Sequence, residues 1–594
     1  MQRIGHYPFS ISSMSFDDAQ YEEKLQAKKQ YMQGRLAQLL LSLRPTGHGT
    51  TGTPDEAWGV LPELEVVSSP PLHCRQKCRF AVGLDDRVSS SGQACLTHLL
   101  WDHGGPTVVV EAFPVAALPI YRAMPVLMQL LQPAAAAAAA GAAGAAGAAG
   151  AAGAAGAAGA AGAAGAAVGA GYEEDAHARS GSVDLSLLGR GLTSVNYLST
   201  LSHELVITLI YNAEMPAHWG AAAALLREEL LRVLTLSPVP ASAPVPSPGV
   251  PAASLRQLSV IGRSRGSKMV VGRDWVLEEL PKPIPLPVPL PPALQEPDPA
   301  AATGVTPADT VAHASAAGVL RYRQVDDGFS NPNSVVNLRA LAWLCSVAGQ
   351  ITEGAGAGAG VEAGADAEAG AGGVDLLEMY CGNGNHTVAL AGYFHRVLAV
   401  ELSPSLCAAA RYNFSLNGVN NAHVVACDSA HFALSILRKK MYTLRPDAPS
   451  AKSVKSAAIA RTQGRARAAG PAPGTAADGV GAEDKRVDTA TTASTAAPAP
   501  APTPAEYTYR FGAVLVDPPR CGLDAQSCQL VALYPHVLYV SCCPDSLERD
   551  LRQLLRTHAL QRVAIFDQFA YTPHIETGVW LRRREPPIAH IPKS

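Results

Sequence analysis

The sequence predicts an α/β protein with two folded domains, the second built on an open, doubly wound parallel sheet. Short apolar runs rich in β-branched residues alternate with helical patterns from Val374 onward, which is typical of β-α-β units. The first of these strands runs directly into a Gly-rich turn at Gly382 and Gly384. Low-complexity stretches interrupt both halves of the chain and leave enough apolar sequence for two cores.

Five segments lack the large apolar side chains that offset the entropy cost of ordering a chain. We expect disordered insertions at about 134–171, 237–254, 281–317, 353–373 and 443–506. The remaining sequence predicts an α/β domain over residues 1–320 and a second domain over residues 321–594.

Composition limits the classes of protein that fit this chain. The 48% hydrophobic content is dominated by alanine. No run of about twenty bulky apolar residues is free of Gly and Pro, so no membrane span is expected. Eleven cysteines lack short secretory spacing, and no charged and then apolar leader follows Met1. We therefore expect a soluble, non-secreted protein of the cytoplasm or an organelle matrix. With a net charge of −3, any nucleic acid would need local basic patches.

The first domain begins with an amphipathic helix at 17–43 and continues with strands at 107–113, 194–202, 204–211 and 258–261 and a helix at 219–234. Arg75, Lys77 and Arg79 alternate along a predicted strand and so project from one face. That face suits either a phosphate backbone or plain solvent. A second basic cluster at 263–273, which includes Arg263, favours an RNA partner. Cys74 and Cys78 have no second ligand pair, so no metal site is expected.

The second domain begins with a hinge at 322–333 and a helix at 334–347. Its first strand, 374–379, meets the Gly-rich turn, and the next strand ends in Glu401, about 20 residues on, where a carboxylate can take a ribose hydroxyl pair. The turn lacks the third glycine of a nicotinamide-dinucleotide fingerprint, because His386 and Thr387 follow Asn385. S-adenosyl-L-methionine, which has no pyrophosphate, fits this turn better.

Two later strands carry reactive side chains to the same edge of the predicted sheet. The strand from Phe511 ends at Asp517-Pro-Pro-Arg520, and the strand 537–540 delivers Ser541-Cys-Cys543 to a loop before a helix at 545–555. Glu576 and His574 lie between the last two strands. Taken singly, these features also fit a buried cysteine pair, an ordinary Asp-Pro turn and polar loop residues.

Taken together, the motifs resemble the signature blocks of the RNA uracil-5 methyltransferases, and most closely the bacterial tRNA (uracil-5-)-methyltransferase type that makes ribothymidine in the T-loop. The motifs are Tyr380-Cys-Gly-Asn-Gly-Asn385, Asp517-Pro-Pro-Arg-Cys-Gly-Leu-Asp524, Ser541-Cys-Cys-Pro-Asp545 and Phe566-Asp-Gln-Phe-Ala-Tyr-Thr-Pro-His-Ile-Glu576. The first domain adds Arg75 to Phe80, Asn196 to Ser202 and Ile261-Gly-Arg263.

The resemblance implies a Rossmann-like class I fold and methylation of carbon 5 of T-loop uridine 54 through a covalent bond from cysteine to carbon 6. It implies Cys542 as nucleophile and Glu576 as base. It implies a set of S-adenosyl-L-methionine contacts, which comprises Asn331, Tyr380, Gly382, Asn385, Glu401 and Asp517, and a set of RNA contacts, which comprises Arg75, Lys77, Arg79 and Arg263. We expect a monomer that binds the T-arm of tRNA, without metal or membrane.

Two positions depart from the family pattern: Asn331 stands where glutamine is usual, and Cys543 where asparagine is usual. Three alternatives remain. Related rRNA enzymes often carry four clustered cysteines and an added RNA-binding barrel, neither of which is visible here, so tRNA is favoured over rRNA or a tmRNA-like substrate. An amino-group methyltransferase would carry an aromatic residue in place of Arg520. A non-catalytic RNA-binding protein would not need Cys542 and Glu576.

Overall fold

The computed structural model describes residues 14–43, 61–85, 95–101, 107–132, 184–236, 255–283, 318–326, 328, 330–357, 373–439, 442–444 and 507–584. The insertions predicted at 134–171 and 237–254 lie outside these residues, as does most of each of the other three. The chain divides into two compact units: one comprises Met1–Ala430 with Phe511–Ser594, and the other comprises His431–Arg510.

The described helices are α1 (Asp18–Leu43), α2 (Leu118–Leu131), α3 (Trp219–Leu236), α4 (Ser334–Ala357), α5 (Asn385–Leu390), α6 (Pro404–Leu416), α7 (Ser429–Lys439), α8 (Ala525–Val531) and α9 (Pro544–Leu554), with 3-10 turns at Leu185–Gly189 and Ala391–Tyr393. The described strands are β1 (Leu64–Val67), β2 (Lys77–Asp85), β3 (Cys95–Trp101), β4 (Thr107–Val110), β5 (Leu192–Ser199), β6 (Glu204–Tyr211), β7 (Gln257–Ser264), β8 (Ser267–Val271), β9 (Trp275–Pro281), β10 (Val319–Val325), β11 (Asp375–Met379), β12 (Val397–Glu401), β13 (Ala422–Ala426), β14 (Tyr442–Leu444), β15 (Tyr507–Tyr509), β16 (Phe511–Val516), β17 (His536–Ser541), β18 (His558–Phe566) and β19 (Glu576–Arg583).

An eight-stranded sheet in the first unit has the order β13-β12-β11-β16-β17-β19-β18-β1. Its strands pair in parallel except β19, which runs antiparallel to both β17 and β18. The chain winds outward from β11 to β13 and then returns to the other side of β11 with β16. This order confirms the predicted doubly wound, Rossmann-like sheet.

Helix α4 packs into the core of this sheet. Leu341, Trp343 and Leu344 are buried in one cluster with Leu376 and Val397. Residues Ser334–Glu353 of α4 have the length and apolar composition of a membrane span, and two thirds of that stretch is buried inside the protein. The helix runs to Ala357, beyond the predicted end at Val347.

A seven-stranded sheet, of order β4-β3-β2-β5-β6-β7-β8, belongs to the same unit. Only β6 and β7 pair in parallel. Helices α2 and α3 bury Ile120, Leu127 and Leu226 against Val195 and Ile207 of the sheet, as the apolar faces of amphipathic helices do. This α/β arrangement agrees with the fold expected for the first domain, and the proposed boundary near residue 320 stays a prediction.

Several elements were not predicted from the sequence, among them β1, β3, β8, β9, β10 and α2. Helix α2 contains Pro125. Proline removes an internal hydrogen bond and usually indicates that a helix is interrupted, so this helix could not be predicted from its sequence pattern. The second unit contributes the rest of α7 and the antiparallel pair of β14 with β15, so residues 443 and 444 are part of a strand.

Helix α1 is joined to the segment that follows β18 by a buried ion pair. The Lys28 ammonium donates to the Asp567 carboxylate at 2.5 Å and to the Phe569 carbonyl at 2.9 Å. The Tyr21 hydroxyl donates to the same carboxylate at 3.0 Å and accepts from the Ser69 amide at 2.7 Å. Because both charges are almost wholly buried and have lost their contact with water, each depends on the other for electrostatic stabilisation.

Replacing Lys28 with methionine should lower the free energy of unfolding by about 3–5 kcal/mol, because Asp567 would keep a buried charge without its partner. The control is Lys24→Met on the same helix, where the lysine pairs with Glu23 at the surface and the change should stay within about 0.5 kcal/mol. Urea denaturation measures both. If both variants lowered the free energy of unfolding equally, the buried pair would contribute no more to stability than the surface pair, and the prediction would be wrong.

Candidate functional site

Tyr380, Gly382, Asn385, Glu401, Asp517 and Cys542 lie at or just after the ends of strands β11, β12, β16 and β17, at one edge of the eight-stranded sheet. Glu576 begins β19, which runs antiparallel to β17, and so lies at the same edge. These four strands run parallel, so their carboxyl ends share an edge. The strand order reverses between β11 and β16. Loops leave the two strands toward opposite faces at such a reversal, which opens a crevice that ligands occupy in doubly wound sheets.

The turn after β11 lies at the crevice, and several of its residues have a left-handed backbone conformation. Gly384 has a φ of 81°, and a Cβ atom built on it would lie 2.7 Å from the Phe414 ring, so no larger residue fits without movement. Tyr380, which is not a glycine, has a φ of 65° at the start of the turn. Such strain costs on the order of 1–3 kcal/mol and is concentrated at functional sites.

Glu401, at the end of β12, is held by backbone amides. Gly382 donates to one carboxylate oxygen at 3.1 Å, and Ser403 donates to the other at 2.8 Å. The carboxylate is thereby fixed beside the Gly-rich turn, and the side chain keeps partial exposure. Each carboxylate oxygen has a further lone pair for a ligand hydroxyl.

An amide cluster connects the predicted positions Asn331 and Asn385. Asn337 and Asn385 exchange two hydrogen bonds, of 3.0 and 2.9 Å, and Asn331 donates to the Asn337 Oδ1 at 2.7 Å. Asn337 is buried and was missed in the sequence. Its position in the first turn of α4, six residues after Asn331, was the available signal.

The loop after β17 is held by two serines. The Ser541 hydroxyl accepts from the Cys543 amide at 3.2 Å and donates to the Cys543 carbonyl at 3.1 Å, to which Ser546 also donates at 3.1 Å. Cys543 is the N-cap of α9 and provides no side-chain cap. The asparagine expected at this position would be a favourable N-cap, so its absence leaves the serines to hold the loop beside Cys542.

Cys542, Asp517 and Glu576 interact electrostatically with one another. Burial raises the pKa of the Cys542 thiol, the negative charges of Glu576 and Asp517 raise it further, and Arg520 opposes them. Burial, followed by the charge of Asp517, raises the pKa of Glu576 to about 8. Burial raises the pKa of Asp517 to about 7. The structure thus brings together the predicted nucleophile, the predicted base and a second carboxyl group, that of Asp517, which directly follows β16.

Asp550 of α9 connects the loops that carry Asp517 and Cys542, and sequence reasoning missed it. Its carboxylate accepts from the Leu523 amide at 2.8 Å and from the Tyr539 hydroxyl at 2.7 Å. Because Leu523 belongs to the loop after β16 and Tyr539 to β17, the buried carboxylate fixes the two segments relative to each other. Nothing in the local sequence pattern distinguishes it from a helix-surface aspartate.

The predicted RNA contacts differ in their surroundings. Arg79 is exposed. The Lys77 ammonium donates to the Gly328 carbonyl at 2.7 Å, and the Arg75 guanidinium lies 5.9 Å from the centre of the Phe569 ring. Arg263 pairs with the buried Asp326 at 2.8 Å, so it joins β7 to the end of β10. These three cations have structural contacts within the protein.

His574 and the cysteine pair Cys74 and Cys78 have surroundings of their own. His574 is exposed and packs on Phe569, with ring centres 5.6 Å apart. Cys74 and Cys78 are buried. Within the ranges that the structure covers, no three histidine, cysteine or acidic side chains converge to hold a metal ion.

Glu378 is a further titratable group beneath the Gly-rich turn. Its side chain is fully buried in β11, and the Thr387 hydroxyl donates to it at 2.5 Å. Burial raises the pKa of Glu378 to about 8, the Thr387 hydrogen bond lowers it, and Asp517 raises it. At neutral pH this side chain is therefore mostly a neutral acid.

Comparison with known proteins gives consistent similarities. The family model described as tRNA (Uracil-5-)-methyltransferase matches residues 361–448 and 506–584. A tRNA/tmRNA (uracil-C(5))-methyltransferase of Azoarcus sp. (strain BH72) is 28% identical over 575 residues, which cover 96% of this chain and 99% of that protein. One from Neisseria meningitidis serogroup B (strain ATCC BAA-335 / MC58) is 29% identical over 66% of this chain and 71% of its own length.

Among solved structures, the tRNA (uracil-54, C5)-methyltransferase of Pyrococcus abyssi, in complex with S-adenosyl-L-homocysteine, aligns with this chain. The TM-score is 0.44 and the identity is 12%, over 94% of this chain and 83% of that one.

The raised pKa of Glu378 predicts that the free energy of unfolding depends on pH. An unfolded glutamate has a pKa of about 4.3, so from about pH 4.3 to pH 8 the folded protein keeps a proton that the unfolded chain releases. Stability must therefore fall as pH rises through this window. Glu378→Gln, an uncharged isostere, should flatten the fall, as measured by urea denaturation at several pH values. An unchanged slope would contradict a neutral Glu378.

Proposed function

Because the chain belongs to the family of RNA uracil-5 methyltransferases, we propose that it methylates carbon 5 of uridine 54 in the T-loop of tRNA through a covalent bond between Cys542 and carbon 6. The observation that supports this most directly is the pairing of Ser541 with Thr577 between β17 and β19, which brings the adjacent residues Cys542 and Glu576 side by side. Asp517 interacts electrostatically with both. A thiol and a carboxyl group that share a crevice are the nucleophile and the base that this reaction requires.

S-adenosyl-L-methionine supplies the methyl group when it is bound. The Gly-rich turn would receive this ligand: Gly382 and Gly384 have positive φ values of 57° and 81°, a backbone conformation that glycine adopts without strain. Glu401, with both oxygens fixed by amides, would bind the ribose hydroxyls. Asn331 and Asn385, linked through Asn337, would present amide groups to the cofactor.

Cys542 performs the first step of the proposed reaction. Carbon 5 of uracil is a poor nucleophile, and addition of the Cys542 thiolate to carbon 6 converts it to an enolate carbon that accepts a methyl group. The raised pKa of the thiol disfavours the thiolate. The Cys542 thiol releases its proton to solvent as the thiolate forms. Protonation of Glu576 and Asp517 removes negative charge beside the sulfur, and the positive charge of Arg520 lowers the pKa of the thiol, so both promote formation of the thiolate.

Glu576 performs the last step. After methylation, carbon 5 carries both the methyl group and its original proton. Glu576, which is protonated while the thiolate forms, must first release its own proton to solvent. Its carboxylate then removes the carbon 5 proton, the bond between carbon 5 and carbon 6 becomes double again, and the Cys542 thiolate leaves. A pKa of about 8 places Glu576 near the operating pH, which is favourable for a general base.

The substrate uridine must leave its stack to reach Cys542. Base flipping costs a few kcal/mol, less for a base that is already unpaired, and a tRNA loop offers such bases. Arg75 and Phe569, stacked at 5.9 Å, provide a cation and a ring of the kind on which unpaired bases stack. The names of the Azoarcus and Neisseria relatives support tRNA or tmRNA as the RNA substrate.

RNA that carries 5-fluorouridine at the T-loop position should trap the protein, because fluorine at carbon 5 cannot be removed as a proton. With S-adenosyl-L-methionine present, we expect a covalent complex on a denaturing gel, and Cys542→Ala should form none. RNA with 5-fluorouridine only outside the T-loop should not be trapped. An amino-group methyltransferase or a non-catalytic RNA-binding protein would give no complex with any of these RNAs.

Cys543→Asn is the matched control for this experiment. It alters the neighbouring thiol and leaves the proposed nucleophile intact, so trapping should persist. Asparagine should also cap α9 and raise the free energy of unfolding by about 1 kcal/mol. Loss of trapping in Cys543→Asn, or its retention in Cys542→Ala, would contradict the proposed nucleophile.

Glu576→Gln should allow methyl transfer and block release, because the amide cannot take the carbon 5 proton. Incubation with unmodified tRNA and radiolabelled S-adenosyl-L-methionine should accumulate a labelled protein-RNA complex, with steady-state turnover reduced by about 100-fold or more. His574→Gln, at the exposed histidine two residues away, is the control and should turn over. Normal release by Glu576→Gln would show that another group is the base.

A further inference from the structure

The hairpin of β9 and β10 presents arginine and aromatic side chains on its outer face. Along β10, Leu320, Tyr322 and Gln324 are buried, and Arg321 and Arg323 alternate with them toward the surface. Trp275 opens β9 and pairs with Val325. The outer face therefore places Trp275 and Arg323 diagonally across the two strands.

Helix α6 and the residue that caps its C-terminus, Asn417, cover the free edge of β10 with two asparagines one turn apart. Asn417 accepts from the Arg321 amide at 2.8 Å and donates to the Arg321 carbonyl at 2.6 Å. Asn413 accepts from the Arg323 amide at 2.9 Å. These bonds hold the exposed Tyr412 of α6 next to Arg323.

The side chains form a ladder of alternating cations and rings. The Arg323 guanidinium lies 5.0 Å from the centre of the Trp275 ring and 5.1 Å from that of Tyr412. The Arg273 guanidinium lies 4.0 Å from the Trp275 ring. Cation–π contacts at these distances orient a guanidinium without consuming its N–H donors.

Arg323 differs from the other arginines of this surface because it has no anionic partner among the residues that the structure describes. Arg273 pairs with Glu204 at 2.9 Å, and Arg321 pairs with Glu279 at 3.1 Å. Arg323 forms no side-chain ion pair or hydrogen bond with any residue in the described ranges, and its Nε is buried without a partner. A guanidinium that is held between two rings, with no anion from the described part of the chain, is available to bind a phosphate, which its planar fork of donors matches.

We propose that Arg323, held between Trp275 and Tyr412, binds a backbone phosphate of the substrate RNA. This inference rests on the proposed function for the identity of the RNA, and it assigns to the β9–β10 hairpin a contact that is separate from the coupled group at Cys542. The contact is electrostatic and independent of sequence, so it contributes to the affinity for RNA and not to the choice of base.

The test is RNA binding by the full-length protein across a series of salt concentrations, with a fluorescently labelled tRNA as the probe. Arg323→Met keeps the apolar contacts with both rings and removes the charge. We expect the dissociation constant at 0.1 M salt to rise by about tenfold and the slope of log affinity against log salt to fall by about 1. The KM for tRNA should rise in proportion, with kcat unchanged at saturation.

Arg321→Met is the matched control, since this exposed arginine on the same strand is already paired with Glu279 and its removal should change the slope little. Arg323→Lys keeps the charge and should keep the slope, which separates phosphate binding from packing if Arg323→Met lowers the melting temperature. An unchanged slope in Arg323→Met, with normal trapping of 5-fluorouridine RNA, overturns this inference alone. If Arg323→Met reduces the slope but the unaltered protein does not trap 5-fluorouridine RNA, the phosphate contact is supported and the proposed function is contradicted instead.

Discussion

The reversal of strand order between β11 and β16 is the constraint on which the rest of the structure depends. Parallel strands on either side of this reversal end at one edge of the sheet, and their loops diverge to form a crevice. The Gly-rich turn, Glu401, Asp517 and Cys542 each follow a different strand at that edge. Side chains far apart in the sequence are thus brought to one site, with a well-packed parallel sheet as their support.

Burial governs the chemistry of this site. It raises the pKa values of Glu576 and Glu378 to about 8 and that of Asp517 to about 7, and it raises that of the Cys542 thiol. The site therefore favours neutral forms near pH 7. That preference serves the proposed reaction in two ways, because a protonated Glu576 lets a thiolate form beside it, and an acid with this pKa releases its proton easily enough to act later as a base.

Contacts outside the site hold its loops in place. The buried pair of Lys28 and Asp567 fastens the segment before Glu576 to the first helix, and Asp550 connects the loops of Asp517 and Cys542. A third connection joins the seven-stranded sheet to the start of α4: Glu278 accepts from the Ser334 hydroxyl at 2.6 Å and from the Leu201 amide at 2.8 Å. Each uses a buried carboxyl group with several donors, which is costly to disturb once formed.

The sequence by itself determined the strand-to-turn-to-helix units, the Gly-rich turn and the reactive residues at strand ends, because periodicity and turn chemistry are local. The tertiary structure decided which distant groups meet. Asp550 and Lys28 carry no local signal, and Asn337 is marked only by its position in the first turn of α4. The roles of all three depend on partners that the fold delivers; Lys28 and Asp567 are 539 positions apart. Likewise, only the packing of α6 and β9 against β10 separates Arg323 from the paired arginines beside it. A side chain's charge and hydrogen bonds depend on its burial and its neighbours, which local patterns do not contain.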